Sequence, residues 1–428
     1  MAWSATPALW RSGTLTTAAL LGAVAAGRPA LVVLAVPFAV LVTTGLWHRP
    51  STDPQVATRW SHRRLREGEA TTMLTSVTSP EAESVGLLMS SSPYVEVPPA
   101  QRAVLAASDS GTTTVLTEVH ARRWGVHEAG GGQLAVTSSW SGFRWGPWPV
   151  PSSPVTVLPQ GAPFDASAQA PHPVGLVGAH RSRQDGTGRE FSGIREFAAG
   201  DRLRRIHWRS SLRTGRLQVI TTNAEQDSEV ILLVDAMADL GPSAGVGGEA
   251  STLDVTVRAA SALAEHHLRI GDRVGLRVLG RISTVVPARA GTRQHRRILE
   301  VLALIHSGRP DHLDVTRMHR GLGAGAVVLV LSPLLAEEAT AALALLARSG
   351  LTAVAVDTSP AELTGPWQAA PLSPDALAWR IRMLERDVQL RALRAAGIPI
   401  VRWRGPGTLD EVMLQLSRRS AAPRAAIR

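Results

Sequence analysis

The sequence predicts a multidomain protein with an N-terminal transmembrane helical hairpin, a β-sandwich-like domain and a doubly wound α/β domain. Three observations lead to this prediction. Residues 12–47 are almost free of charge, residues 55–160 contain short runs rich in Thr and Val, and residues 229–420 alternate apolar runs with helical patterns. With 428 residues, the chain is long enough for two or three domains of roughly 150 residues each.

The stretch from Ser12 to Trp47 contains one charged residue, Arg28, which divides it into two apolar runs. Each run approaches the ~20 residues that a helix needs to cross a bilayer, so we expect two transmembrane helices. Arginines cluster after the second run, which predicts a multi-pass protein of the cell membrane whose soluble domains are cytoplasmic. The alternative is a secretory signal peptide with a cleavage site near Ala23-Val24-Ala25, and the second run would still anchor its product.

Short apolar runs follow in residues 55–160, separated by Ser, Pro and Gly clusters, a spacing typical of a small antiparallel β-sandwich. The runs are Thr72–Thr78, Val85–Met89, Val115–Val119 and Gln133–Thr137. Aromatic residues crowd the end of this region and either pack its core or form an exposed platform. They are Trp124, Trp140, Phe143, Trp145 and Trp148. Residues 161–228 then form a linker and an arginine-rich segment.

Buried strands and amphipathic helices alternate from residue 229 onward, which predicts a parallel sheet with helices on both faces. The predicted strands are Val230–Val234, Arg273–Leu279, Ala326–Leu331, Leu351–Val356 and Ile398–Trp403. The predicted helices are Leu253–Leu268, Gln294–Ile305, Ala336–Arg348 and Pro374–Ala396. Asp235 follows the first strand, so a carboxylate is expected at the carboxyl edge of the sheet, where such sheets bind ligands.

The composition excludes several kinds of chemistry. The chain has no cysteine, so disulfides, thiolate metal sites and cysteine nucleophiles are excluded. All 45 basic residues are arginine, which excludes a Walker-type or Schiff-base lysine. No G-x-S-x-G elbow, H-E-x-x-H motif or strand-to-helix G-x-G-x-x-G motif occurs, and we therefore predict that the protein is not an enzyme. The net charge of +10 favours anionic partners.

Residues 186–217, with the sequence GTGREFSGIREFAAGDRLRRIHWRSSLRTGRL, combine arginines with carboxylates and glycines. In the order of its residues this segment closely resembles the signature of the bacterial family known as domain of unknown function 58. The strand before Asp235 follows at the expected distance, and the three regions of the chain occur in the family's order. The positions on which we base a partner-binding or anion-binding role are Arg195, Gly200, Asp201, Arg202, Arg204, Arg205, Trp208, Ser211 and Arg213.

The resemblance implies an α/β domain like the von Willebrand factor A fold and a role as a membrane-anchored partner of the AAA+ ATPases called MoxR. On this interpretation the chain is a cytoplasmic interaction or scaffold protein, and the planar arginine side chains of the signature suit phosphate or carboxylate groups. The alternative for the signature is structural, with Trp208 buried as a plug. In that alternative Arg195, Arg205 and Arg213 pair with Glu190, Glu196 and Asp201, whereas Arg202, Arg204, Arg209 and Arg216 face outward.

The resemblance also implies the position of a metal-ion-dependent adhesion site, which in von Willebrand A domains begins with Asp-x-Ser-x-Ser after the first strand. Asp235 matches the Asp, but Met237 and Asp239 replace the two serines. Ser332-Pro333 stands where many relatives place Ser-Asp, and Thr316 is one candidate for a distant threonine. Mg²⁺ prefers six oxygen ligands, and a thioether is a poor ligand for a hard ion. We therefore predict a degenerate site, no bound metal and no cofactor, with magnesium on Asp235 and Asp239 as the less favoured outcome.

Two other functions stay open on the sequence alone. The basic segment is suited to binding anionic lipid or nucleic acid, although the leading hypothesis expects no nucleic acid. A metal-dependent adhesin that faces outward requires the opposite membrane topology and a working metal site.

Overall fold

The structure is a computed structural model that describes residues 2–108, 111–161, 182–198, 201, 203–224, 229–310, 321–322, 326–360, 373–405 and 408. The chain divides into two compact units. Unit 1 comprises Met1–Pro159 together with Ala244–Glu249, and unit 2 comprises Gln160–Ser243 together with Ala250–Arg428. Each unit has its own hydrophobic core.

Unit 1 begins with strand β1 (Ser4–Ala5) and helices α1 (Pro7–Ala26) and α2 (Ala30–Trp47). Thr6 caps α1 by accepting the Leu9 N–H, and Gly27 ends the helix in the left-handed region with φ 61°. The two helices lie side by side and antiparallel. A Cβ on Gly45 would lie 3.0 Å from Leu9, and a Cβ on Gly22 would lie 3.5 Å from Leu31.

Among the described residues, one helix, α2, is long and apolar enough to cross a membrane. Helix α1 is more polar because it contains Arg11 and several hydroxyl groups. Three of these hydroxyls are satisfied within the helix, since Thr14, Thr16 and Thr17 donate to the carbonyls of Arg11, Ser12 and Gly13. The structure therefore indicates membrane association through α2, and composition alone does not support a second crossing.

The rest of unit 1 is mainly β-structure. Its elements are β2 (Gln55–Trp60), β3 (Arg64–Arg66), β4 (Ala70–Thr78), β5 (Ala82–Met89), β6 (Val95–Glu96), α3 (Pro99–Arg102), β7 (Ala103–Ala107), β8 (Thr112–Ala121), β9 (Gly125–Ala129), β10 (Gly132–Ser138), a 3₁₀ turn (Ser139–Ser141), β11 (Phe143–Val150) and β12 (Ser153–Leu158). They form sheets in the orders β2-β4-β8-β6, β1-β11-β10-β5-β7 and β3-β12-β9.

One core joins these sheets, because alternate side chains of each strand point inward. Met73 of β4, Val85 of β5 and Val157 of β12 all belong to this core. Of the crowded aromatic residues, Trp124, Phe143 and Trp145 are buried and Trp140 is exposed, so packing rather than an exposed platform accounts for most of them.

Residues 244–249 complete unit 1, although they follow the first strand of unit 2 in the chain. The Val246 N–H donates to the Arg122 carbonyl at 2.8 Å. Gly245 has φ 79°, and a Cβ there would collide with the same carbonyl group. A glycine is thus required where this segment packs against Arg122, the residue that follows β8.

Unit 2 contains the signature and the α/β region. Its elements are β13 (Ser182–Glu196), a 3₁₀ turn (Leu203–Arg205), α4 (Trp208–Thr214), β14 (Gln218–Ala224), β15 (Glu229–Asp235), α5 (Thr252–Arg269), β16 (Arg273–Leu279), β17 (Thr284–Arg289), α6 (Thr292–Ala303), β18 (Val327–Ser332), α7 (Glu337–Arg348), β19 (Thr352–Asp357), α8 (Pro374–Ala395) and β20 (Ile400–Arg402). Strands β13 and β14 pair with each other in antiparallel fashion.

The six-stranded sheet has the order β17-β16-β15-β18-β19-β20, and all its pairs are parallel except that of β16 with β17. Every residue of β18 is buried, as expected for a parallel strand covered on both faces. Each predicted strand and helix of this region is present within a few residues, and β17 is an addition. The prediction of an α/β region built on a mostly parallel sheet is therefore confirmed.

Candidate functional site at the carboxyl edge and in the signature

The carboxyl edge of the six-stranded sheet carries polar residues at the ends of β15 and β18. These strands are neighbours although β16 and β17 separate them in the chain, so the strand order reverses between them. In open α/β sheets the crevice outside such a reversal is the usual ligand site. The Ser332 hydroxyl donates to Asp235 Oδ2 at 2.6 Å. Two of the predicted site residues thus meet at this position.

Asp235 is buried, with 3% of its surface exposed. Its Oδ1 accepts the Met237 N–H at 3.0 Å, and Ser332 Oγ in turn accepts the Leu334 N–H at 2.8 Å. Burial raises the pKa of the Asp235 carboxyl above its usual value, and this effect outweighs the two hydrogen bonds, which act in the opposite direction. Both oxygens of the carboxylate are therefore engaged inside the protein.

Beside Asp235, the Met237 side chain forms an apolar cluster with Ala336 and Ala339. A cavity of about 170 Å³ adjoins this cluster. It is lined by Met237, Ala238, Leu240, Arg309, Leu335, Ala336, Trp379 and Arg382. Small-molecule sites usually measure about 300–1,000 Å³, so this cavity is smaller than a typical ligand site.

The donor set at this edge does not fit Mg²⁺. The Met237 side chain points into the apolar cluster, and Asp239 accepts the Leu253 N–H at 3.2 Å. Within the described ranges, no group of three or more His, Cys, Asp or Glu residues could hold a metal ion. Thr316 lies outside the described residues. The carboxyl oxygens of Asp235 and Asp239 instead accept hydrogen bonds from backbone N–H groups and, at Asp235, from the Ser332 hydroxyl.

We expect the full chain to bind neither Mg²⁺ nor Mn²⁺, because the two remaining carboxylates are engaged and a hard ion needs about six oxygen ligands. Isothermal titration calorimetry should give no binding heat, and either metal should leave the thermal unfolding midpoint unchanged. A metal-dependent rise of this midpoint that Asp235→Asn abolishes would contradict the expectation.

A second polar cluster, which sequence reasoning missed, lies at the end of β19. Asp357 Oδ1 is 2.6 Å from Arg386 of α8 and also accepts the Ser359 hydroxyl at 2.7 Å. Arg386 donates to the Pro333 carbonyl at 2.9 Å as well. Helix α8 is thereby tied to the loops that follow β18 and β19. The signal at Asp357 was the same as at Asp235, an apolar run ending in a carboxylate, but no local pattern identifies Arg386 as its partner.

In the signature, Arg195 and Asp201 form a two-pronged ion pair with both N···O distances at 2.7 Å. Asp201 also accepts the Ala198 N–H at 2.8 Å. The Arg195 guanidinium and then this N–H hold the pKa of the Asp201 carboxyl below its usual value. Glu196 pairs with Arg216 at 2.9 Å, and the Arg216 side chain, which was expected to face outward, is 74% exposed. These pairs agree with the structural interpretation of this part of the signature.

The prediction that Trp208 is a buried plug is wrong, because 62% of its surface is exposed. Leu212, one turn later on α4, is 83% exposed. The residue of α4 that contacts β14 is Ser211, which is buried and accepts the Gln218 N–H at 2.8 Å. Ser211 therefore has a structural role, whereas Trp208 and Leu212 are held in solvent.

Arg209 and Arg213 are exposed on the same short helix, and neither forms an ion pair with any residue that the structure describes. We call Trp208, Arg209, Leu212 and Arg213 the signature surface. The remaining predicted positions contribute less to it. Arg205 is half-buried, and Gly200, Arg202 and the Arg204 side chain lie outside the described residues.

A comparison with known families gives one finding for this chain. The family model described as "Protein of unknown function DUF58" matches residues 193–391. The match begins within β13 and ends within α8, so it includes the signature surface, both polar clusters and most of the six-stranded sheet. No curated protein matches the chain.

Proposed function

Because the chain belongs to the DUF58 family of unknown function through residues 193–391, we propose that it is a membrane-anchored, non-catalytic interaction protein that binds a partner protein through the signature surface. The observation that carries this proposal is the exposure of Trp208 and Leu212. Exposed Trp residues flanked by arginines have the composition of binding hot spots, which supply most of the affinity at protein interfaces.

The partner that we propose is an AAA+ ATPase of the MoxR type, as the family resemblance implies. The doubly wound sheet of unit 2 supports the assignment of a von Willebrand factor A-like domain. Asp235, Met237, Asp239 and Ser332 are then the remains of a metal site, and the cavity beside Met237 is a second, metal-free contact for the partner. Its two arginines are already paired within the chain, Arg309 with Glu338 at 3.7 Å and Arg382 with Glu385 at 2.9 Å, so the proposed contact depends on the apolar part of the lining.

The anchor that we propose is the antiparallel pair α1 and α2, with both ends in the cytoplasm. Helix α2 meets the length and composition of a membrane span, and the arginines that follow it favour a cytoplasmic location for the soluble units. An apolar groove of about 810 Å³ along α1 and α2, with Arg49 at its edge, supports contact with lipid. Trp3 and Trp10 in the groove lining are residues typical of the membrane–water interface.

The test is an affinity purification of the full-length tagged chain from membranes, with the double variant Trp208→Ala/Leu212→Ala compared with wild type. We expect the variant to recover the ATPase at least tenfold less efficiently, since a loss of 1.4 kcal/mol weakens binding tenfold and hot-spot residues contribute 2 kcal/mol or more. The matched control is Ile282→Ala/Leu304→Ala, which removes equally exposed apolar side chains elsewhere in unit 2. Equal recovery by both variants would contradict the proposal.

The same surface favours a second candidate, an anionic lipid surface, because Trp and Arg side chains together suit the membrane interface. Binding of the full chain in mixed micelles to anionic lipid, lost at high salt and lost with Arg209→Gln/Arg213→Gln, would support this candidate. If the ATPase is still recovered at high salt, but is lost with Trp208→Ala/Leu212→Ala, the result supports the ATPase as the partner instead.

A further inference from the structure

Helix α8 is apolar on two opposite faces. On its inner face Leu390 and Leu393 are buried in the core of unit 2, together with strand residues of the sheet. On the other side four apolar side chains are exposed, in a row that we call the outer stripe. Leu377 is 46% exposed, Ile381 58%, Leu384 67% and Val388 57%. At 3.6 residues per turn, the centres of the two faces are about half a turn apart, so the sheet cannot cover both.

The outer stripe has the spacing of a coiled-coil seam, with intervals of four, three and four residues. This order of intervals is the same in both directions along the helix. A second copy related by a twofold axis, with its helix antiparallel, therefore places Ile381 against Leu384 and Leu377 against Val388. We propose that the outer stripe of α8 is a self-association surface, where α8 of one copy packs antiparallel against α8 of another.

The charges beside the outer stripe agree with a second copy as the occupant. Arg380 and Asp387 lie on the same flank of the stripe, and neither has an ion pair within the part of the chain that the structure describes. In an antiparallel pair this flank faces itself, so that Arg380 of each copy lies opposite Asp387 of the other. On the opposite flank Glu385 is already paired with Arg382 of the same copy at 2.9 Å. A self-complementary flank is what a twofold contact requires.

The stripe spans three turns of helix, which is smaller than the ~1,600 Å² of a standard interface. We therefore expect a weak dimer in dilute detergent and a stronger one in the membrane, where anchored copies are confined and their effective concentration rises. This expectation of strength rests on the proposed membrane anchor. The contact itself does not depend on the signature surface, so failure of ATPase binding and failure of self-association are distinguishable.

Because the chain contains no natural cysteine, the only cysteines of this chain that can form a disulfide are those introduced by mutation. Full-length chains with Ile381→Cys and Leu384→Cys, carrying different tags, are co-expressed and oxidised in isolated membranes. We expect a mixed disulfide dimer at twice the 45.4 kDa mass of the chain. The matched control is Arg394→Cys, an exposed position on α8 about a third of a turn away from the stripe, which should cross-link at least tenfold less.

Charge exchange tests the same arrangement without cysteine chemistry. Arg380→Asp or Asp387→Arg alone should lower dimer recovery of differently tagged copies several-fold, and the two changes combined in one chain should restore it. All these positions are exposed, so folding is expected to be unaffected, and hydrogen exchange of the β19 peptides checks it. Monomer throughout, or cross-linking of position 384 to a protein of another mass, would overturn the proposal.

Discussion

Replacement of Arg386 by Met is expected to lower the free energy of unfolding of unit 2 by about 3–5 kcal/mol, because it leaves a buried carboxylate without its partner. The side chains of Asp357 and Arg386 are 9% and 12% exposed. The substitution also removes the donor to the Pro333 carbonyl, which connects α8 to the loop after β18. Opening of α8 should follow, with faster hydrogen exchange in peptides from β19 and α8.

The matched control is Arg382→Met, the same substitution one turn earlier on α8. Arg382 pairs with Glu385 where the two side chains are 28% and 54% exposed, and ion pairs near the surface contribute about 0–1 kcal/mol. Chemical denaturation of the full chain in detergent, followed by hydrogen exchange, measures both variants. Adding Asp357→Asn to Arg386→Met should recover part of the loss, since the uncompensated charge is removed. Equal effects of the two arginine substitutions would show that the buried pair has no special role.

Most of the α/β region was predictable because its parallel strands and its helices have strong local signals. The parallel strands are continuous apolar runs and their helices are amphipathic, so the pattern alone places β15 and β18. Strand β17 was missed for a physical reason. It is an antiparallel edge strand with Pro287 inside it and an irregular pairing to β16, so it has neither a continuous apolar run nor clean alternation.

The candidate site was only partly predictable. Asp235 and Ser332 follow apolar runs on neighbouring strands, and this local signal was sufficient to place them at one edge. Arg386 and Trp379 come from α8, so their approach to that edge depends on how the helix packs. Trp208 was misjudged because a large aromatic side chain is on average highly buried. A two-turn helix attached through Ser211 cannot bury it against β14, and this follows only from the three-dimensional arrangement.

The second large effect that we expect is on the pH dependence of stability, because burial disfavours the charged form of Asp235. With a folded-state pKa raised above the usual 3.8, Asp235 holds more protons in the folded than in the unfolded chain at pH values between the two pKa values. Stability therefore falls as the pH rises through this window, and the loss persists above it. Replacement by Asn removes the titration, so Asp235→Asn should gain stability relative to wild type as the pH is raised from about 4 to about 8.

The measurement is the thermal midpoint of unit 2 in the full chain, where 1 kcal/mol corresponds to roughly 2–4 °C for a domain of this size. Ser332→Ala serves as the second variant. It removes the donor to Asp235 Oδ2, so it should destabilise wild type most at high pH and cost less in the Asp235→Asn background. A parallel pH dependence of wild type and Asp235→Asn would contradict the argument.

The Asp235 carboxylate lowers stability, and it lies where the strand order of the sheet reverses. This combination points to a functional reason for keeping the residue. We therefore expect the stabilised Asp235→Asn variant to lose binding to its partner.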